Sequence, residues 1–261
     1  MNAALQTWVI NLDRAPQRLA RVAAQLQQVG LPFERLPAVD ARALTPAQRA
    51  SLDEATFARR HGMTPLPGEL GCYLSHVEVM HRLLASPAEF ALVLEDDVLV
   101  TERLPAALQG LMAHADRWDM VKLSAVHSGT PQRILEVAPG QWLAVMLSRC
   151  TGSSAYLINR RAAQAYADGL LPMQLPYDHV FDQGWRFGLK VRLLTPTPCI
   201  HDEDTASTIA APAQGPSRKF HWTRRLPAHA WRLGNEWRRL VYGLTNTWRE
   251  RQQGGRVVGE G

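Results

Sequence analysis

Residues 90–100 read FALVLEDDVLV, an apolar run from Phe90 to Leu94 that leads straight into Glu95, Asp96 and Asp97. Three carboxylates at the end of a buried strand repel one another and are costly to desolvate. A divalent cation at that place removes the conflict. In an α/β sheet, ligands bind beyond the carboxyl ends of the strands. The segment therefore predicts a metal site that receives an anionic group, above all a diphosphate. Residues two apart in an extended strand share a face, so Glu95 and Asp97 are expected on one side and Asp96 on the other. Carboxylate ligands suit a hard ion, Mn²⁺ or Mg²⁺. The competing reading is a solvated acidic turn after a core strand.

The rest of the chain is ordinary for a globular α/β protein. Its 261 residues suffice for one large domain or two small ones, and 46% hydrophobic with 20% charged residues is an average balance. Cys72, Cys150 and Cys199 are odd in number and widely spaced, which argues against a disulfide framework or a zinc ribbon and suggests small buried residues. The first residues, MNAALQTWVINLDR, lack the basic start of a signal peptide, and no apolar stretch approaches membrane-span length. A cytosolic protein is expected.

TWVINL (7–12) predicts a first strand, residues 14–29 a helix stopped by Gly30, and PFERLPAVD (32–40) a second strand. This is a Rossmann-like opening without the G-x-G-x-x-G of dinucleotide binding. Helices are expected over 45–60, starting at Thr45-Pro46, and over 68–86. A hairpin is expected around Pro139-Gly140, a strand and helix over 151–170, and a helix, a Gly188 stop and a strand over 176–202. Residues 205–217 look like a linker.

The net charge of +5 belongs to the C-terminal part. Residues 1–217 carry 19 Lys and Arg against 21 Asp and Glu, whereas 218–261 carry 10 against 3. Four of the eight tryptophans (Trp222, Trp231, Trp237 and Trp248) lie there too. Leu233, Trp237, Leu240, Val241, Leu244 and Trp248 fall at helical spacing, with most arginines elsewhere on the wheel. A basic amphipathic helix with tryptophans reads as a binder of anionic membrane surfaces through residues 218–251. Its rival is a helix packed on the domain with solvated arginines. Nucleic acid is not expected, because the body is mildly acidic and carries no binding motif.

VINLDRAPQR (9–18), FERLPAVDA (33–41), GELGCYLSH (68–76), ALVLEDDV (91–98), SSAYLINRRAA (153–163) and PYDHVFDQ (176–183) together resemble glycosyltransferase family 25, the lipopolysaccharide-biosynthesis type. CIHDEDTAST (199–208) resembles the family's closing segment more weakly. The resemblance covers about residues 7–208. It implies a GT-A fold, a Rossmann-like nucleotide-sugar domain over residues 1–204. It also implies inverting transfer of a hexose, typically galactose from UDP-galactose, to a saccharide or glycolipid acceptor. It places Glu95, Asp96 and Asp97 at a Mn²⁺ or Mg²⁺ ion. Whether Glu95 or Asp96 pairs with Asp97 is open; Asp96 is otherwise a donor contact. His201, where the family often has Gln, is a further metal ligand or a local polar contact.

An inverting transfer needs a base for the acceptor hydroxyl. The resemblance favours Asp178 over its alternative role as a helix N-cap, with His179 and Asp182 behind it. Asp182, four residues on, would share its helix face. Asn11, Asp13 and Arg14 end the first strand, where a nucleotide would sit; Arg14 and Arg18 are candidates to face phosphate, with a solvated helix face the favoured reading of Arg18. Glu69, Ser75 and His76 surround a loop-to-helix junction and are further donor contacts. Tyr156 and Trp185 suit either sugar stacking or the core. Two other functions fit the residues: an inactive sugar-nucleotide or glycan-binding module on a membrane, and a metal-dependent phosphohydrolase using Asp13 and Asp40 as extra acids.

Overall fold

The computed structural model describes residues 4–201 and 219–257, so the linker expected at 205–217 lies outside the described residues. The opening is as expected: β1 (Leu5–Asn11), α1 (Pro16–Gln28) and β2 (Glu34–Pro37). Next come α2 (Pro46–Ala50), α3 (Glu54–His61), α4 (Pro67–Ala85), β3 (Phe90–Glu95), β4 (Val98–Val100) and α5 (Leu104–Ala113). Short strands β5 (Met120–Lys122) and β6 (His127–Ser128) lead to the hairpin β7 (Pro131–Ala138) and β8 (Gln141–Met146), then to β9 (Cys150–Thr151). β10 (Ala155–Asn159), α6 (Arg160–Gly169), α7 (Tyr177–Val180), α8 (Gly184–Phe187), β11 (Val191–Thr195), β12 (Cys199–His201) and α9 (Leu226–Val257) complete the fold.

Eight strands form one mixed sheet in the order β2-β1-β3-β10-β5-β11-β8-β7. β1 runs parallel to β2 and β3, while β10 enters antiparallel between β3 and β5. Helices cover both faces, so β3 is apolar throughout rather than alternating. Its residues still divide by period two. Ala91 and Val93 pack with Tyr73, Met80 and Tyr156 on one face, and Leu92 and Leu94 with Val22, Leu26 and Leu108 on the other. This is the mixed α/β class the sequence predicts.

Two expected helices are broken. Over 45–60, Thr45 and Gln48 form a reciprocal capping box that starts α2, but the chain then leaves the helix. Residues 51–53 pair with Met173 instead: Met173 N donates to Ser51 O at 2.8 Å and Asp53 N to Met173 O at 2.9 Å. Asp53 then caps α3 through Thr56 N. Over 176–187, Gln183 departs from helical geometry (φ −84°, ψ 67°) and separates α7 from α8. Asp182 therefore does not share a face with Asp178. It turns inward, with no exposed side-chain surface, to meet Arg239 of α9 at 2.8 and 3.2 Å.

The C-terminal helix packs on the domain, as the rival reading has it, but not with all its arginines solvated, since Arg239 is buried in that pair. α9 docks on the body by its polar face. Arg239 lies over Trp185 (5.0 Å), Glu250 pairs with Arg192 (2.9 Å) and with Arg117, and the Tyr242 hydroxyl bridges Leu189 O and Val191 N across α8 and β11. Gly243 permits the contact, since a Cβ there would lie 2.8 Å from Leu147 and 2.9 Å from Met146 O. The apolar positions face outward: Leu226, Leu233, Trp237, Val241, Leu244 and Trp248 are all exposed, from 48 to 75%.

Removing one partner of a buried ion pair leaves an uncompensated charge. Asp182→Asn should therefore cost about 3–5 kcal/mol in urea unfolding followed by circular dichroism. Trp237→Gln, on the outward face, should change stability by less than about 0.5 kcal/mol.

Candidate active site

β1 and β3 are paired in register, Ile10 opposite Glu95, and both end at the same edge of the sheet. β3 stops at Glu95, and Asp96 and Asp97 form a turn into β4. The strand alternation expected of the three acids does not apply to a turn. All three line one cleft, walled by Leu12 after β1, the loop at 38–41, and the Gly68–His76 stretch of α4.

Each acid is held differently. Glu95 Oε1 accepts from the Ser153 hydroxyl (2.9 Å) and faces His76 Nε2 (3.2 Å). Burial works to raise the Glu95 pKa, but the contact and charge of His76, with Ser153, hold it below the ordinary carboxylate value. His76 is fully buried, its Nδ1 2.9 Å from the Tyr156 hydroxyl and its ring stacked on Tyr177 at 4.1 Å. Asp96 accepts from Asn11 Nδ2 (2.6 Å) and Arg18 (2.7 Å), and burial still raises its pKa. Asp97 Oδ2 also accepts from Arg18, at 2.9 Å. Burial and the charge of Glu95 push the Asp97 pKa up to about 6.

Arg18 is thus no solvated helix residue. Helix α1 delivers its guanidinium across the sheet edge to two of the acids, and its side chain is only 16% exposed. His76 likewise sits in the core, whereas His81 is exposed as a polar helix face should be.

The acids retain a capacity for a metal ion. Asp97 Oδ1 is buried without a hydrogen-bond partner among the described residues, and His201 Nδ1, which touches the Ser154 hydroxyl at 3.4 Å, lies 3.9 Å from it. An orphaned carboxylate oxygen facing an imidazole fits a shared cation, with Glu95 as the second carboxylate. Cys72, His76 and Glu95 also cluster, with ligand atoms within 4.8 Å. They make a poor metal set. Both His76 nitrogens are already engaged, and burial with the nearby charges of Glu95, Asp178 and Asp97 raises the Cys72 thiol pKa well above its usual value.

The remaining predicted residues divide into wall and support. Asn11 is buried and holds Asp96, the Ala15 carbonyl and Arg35, so it positions the acid rather than facing the cleft. Arg14 lines the cleft and pairs with Asp40, whose pKa that hydrogen bond lowers. Asp13 is 87% exposed and pairs with Arg35 outside the cleft. Glu69 accepts from Leu66 N at 2.8 Å, capping α4. Ser75 lines the cleft, but its hydroxyl accepts from Val39 N (2.9 Å) and donates to Gly71 O (2.7 Å). Gly71 is required there, because a Cβ would meet Val39 O at 2.6 Å. GELGCYLSH thus clamps the 38–41 loop onto α4.

Asp178 is the second residue of α7, and Pro176 holds the N-cap position that the alternative reading gave to Asp178. Its carboxylate, 27% exposed, lies 3.4 Å from Gly152 N and 4.0 Å from His179 Nε2. Tyr156 is core, and Trp185 packs against Tyr242 and Arg239.

An α/β sheet whose edge gathers acids beside a cleft is the layout of a ligand-binding α/β protein. Residues 4–181 match the family described as glycosyltransferase family 25 (LPS biosynthesis protein), and the chain belongs to that family. It is 26% identical over 275 residues to the lacto-N-neotetraose biosynthesis glycosyltransferase LgtB of Neisseria gonorrhoeae, covering 95% of this chain and 94% of that protein. A glycosyltransferase 25 family member of Aedes aegypti is 30% identical over 121 residues, 44% of this chain; the match spans only 20% of the insect protein. A rat protein described as a probable inactive glycosyltransferase 25 family member 3 is 27% identical over 144 residues, 52% of this chain and 25% of the relative.

Because the Asp97 pKa is raised from 3.8 to about 6, its share of stability is present below pH 3.8 and is lost as pH rises through about 6. Asp97→Asn should therefore stabilise the chelator-treated protein at pH 7.5 by roughly 2–3 kcal/mol. The gain should shrink towards pH 4, as measured by denaturant unfolding at both pH values.

Proposed function

We propose that this protein is a metal-dependent inverting glycosyltransferase that moves a hexose, galactose from UDP-galactose being the favoured donor, onto a lipopolysaccharide or related glycan acceptor. The observation that carries the reading is the convergence of Glu95, Asp96 and Asp97 on one cleft, with Asp97 Oδ1 lacking a partner, in a chain of family 25. A GT-A arrangement accords with the mixed sheet and with acids at its carboxyl edge.

In this reading Glu95, Asp97 and His201 hold Mn²⁺ or Mg²⁺, which stabilises the charge developing on the leaving diphosphate. Arg18 stands beside Asp96 and Asp97 as a second, fixed positive charge on the diphosphate side. Arg14, Ser75 and His76 shape the donor wall, while Asn11 and Glu69 act behind it by holding Asp96 and α4. Asp178 takes the proton of the attacking acceptor hydroxyl; its carboxylate is partly exposed, and Pro176 rather than Asp178 is the N-cap of α7.

The exposed stripe of α9 supports a peripheral location on the inner face of the cytoplasmic membrane. No helix among the described residues is long and apolar enough to cross a membrane. Trp237 and Trp248 with Leu233 and Leu244 suit the headgroup boundary instead, flanked by exposed Arg224, Arg238 and Arg249 that suit anionic lipid.

Calorimetric titration with UDP should show binding that depends on Mn²⁺ and disappears in Asp97→Asn. Asp178→Asn should bind UDP normally and lose about 10²–10⁴-fold in kcat for galactose transfer. Manganese-dependent UDP binding without turnover on any glycan acceptor would instead favour the inactive binding module, a state some relatives' descriptions carry. In co-sedimentation with phosphatidylglycerol vesicles, replacing Trp237 and Trp248 together by Gln should move most of the protein to the supernatant. Unchanged pelleting would remove α9 as the contact surface.

A further inference from the structure

A second groove lies between α8, the start of β11 and α9, at the end of the sheet away from the cleft. Val191 is level there with Met120, Ile158 and Ala91, whereas the acids follow the other end of β3. Arg161, Trp185, Lys190, Tyr242, Thr245 and Arg249 line the groove. Its volume of about 420 Å³ falls in the range of sites that hold small ligands, roughly 300–1,000 Å³. Trp185 and Tyr242 meet edge to face at 5.9 Å and form an aromatic wall.

The cations here are short of counter-charge. Lys190 Nζ donates to the Asp116 carbonyl (2.6 Å), a neutral acceptor, and Arg249 is exposed with no hydrogen bond or ion pair among the described residues. Arg161 pairs with Asp119 at 2.8 Å, yet its side chain stays 61% exposed. The single acid of the lining, Glu250, is already shared by Arg117 and Arg192. The excess continues along the same flank of α9. Arg238 is exposed, four residues before Tyr242, and so shares its side of the helix. Burial lowers the Arg60 pKa, and repulsion from Arg186, Arg59 and Arg238 lowers it further. Cations gathered in this way repel one another, and a bound anion relieves them.

The groove also has an apolar neighbour. Thr245 and Arg249 line it, and the residues just before them, Leu244 and Trp248, are exposed. One residue turns a helix by roughly 100°, so the lining row and the apolar stripe run side by side along α9. A phosphate in the groove has apolar surface directly beside it, the layout of a lipid headgroup and its chains. We infer that the groove binds the headgroup phosphate of an anionic phospholipid and so fixes how the body sits on the bilayer. The orientation part rests on the membrane reading of α9; the lipid site does not. Arg161, Lys190 and Arg249 supply charged donors to the phosphate oxygens, and the rings of Trp185 and Tyr242 suit the glycerol and ester region. Scattered surface cations attract any anionic membrane, whereas a groove takes one headgroup and saturates.

The test titrates the full chain with dihexanoyl phosphatidylglycerol below its micelle concentration, followed by calorimetry. Binding should saturate at one lipid per chain. It should weaken at least tenfold when Lys190→Gln and Arg249→Gln are combined. Arg249→Gln alone, which removes no contact within the described residues, should weaken it at least threefold, so a folding defect in the double variant does not decide the outcome. Arg238→Gln, on the same flank but outside the lining, should leave this titration unchanged while weakening co-sedimentation with phosphatidylglycerol vesicles about fivefold. Absent saturable binding, or equal weakening by Arg238→Gln and Arg249→Gln, would overturn the groove and leave a diffuse basic face. Inorganic phosphate or dihexanoyl phosphatidylcholine binding as tightly as the phosphatidylglycerol would overturn the anionic-lipid assignment. Saturable binding of the soluble lipid by a protein that does not pellet with vesicles would overturn the membrane reading of α9 while the lipid site stands.

Discussion

Everything around the cleft answers one electrostatic problem: three carboxylates packed at the end of a buried strand. The body meets it with groups drawn from separate elements. α1 supplies Arg18, α4 supplies His76, β1 supplies Asn11, the segment before β10 supplies Ser153, and β12 brings His201. Each contact compensates part of the negative charge, and each also ties a helix or strand to the sheet edge. The compensation is incomplete at one atom, Asp97 Oδ1, and the raised Asp97 pKa registers the remainder. The cleft is the place where the fold has not balanced its own charge.

What the sequence made legible follows from which interactions are local. The apolar run of β3, the Thr45–Gln48 capping box and the Gly140 turn are written in neighbouring residues, and they appear as expected. The break after α2 is not, because it depends on pairing with Met173, some 120 residues away. Arg18 departs from the solvated face favoured for it for the same reason: a helical wheel shows an arginine on a polar face, and only the sheet edge opposite, 78 residues on, makes that face an interior one. Glu69 shows the opposite case, a role set by short range: an acid at the third position of a helix caps it, and one oxygen of the carboxylate accepts from Leu66 N.

The C-terminal helix shows a different limit. Its amphipathicity was plain, but which side would be buried was not. A wheel assigns the apolar face inward by default. Here the body presents charges, Asp182, Arg192 and Arg117, that require partners, so the polar side docks. Buried charge decides the orientation of α9, since turning the helix over would leave both Asp182 and Arg192 buried without a counter-charge.

The inverted docking separates two kinds of selection on one helix. The inward residues answer to folding, and an altered Arg239 or Glu250 is felt by the whole molecule. The outward leucines, valine and tryptophans are about half to three-quarters exposed among the described residues, and in water they add apolar surface that invites self-association. The architecture would tolerate serine or glutamine at every one of them. Among the described residues nothing covers that stripe, so its hydrophobic character answers to what the face meets rather than to the packing described.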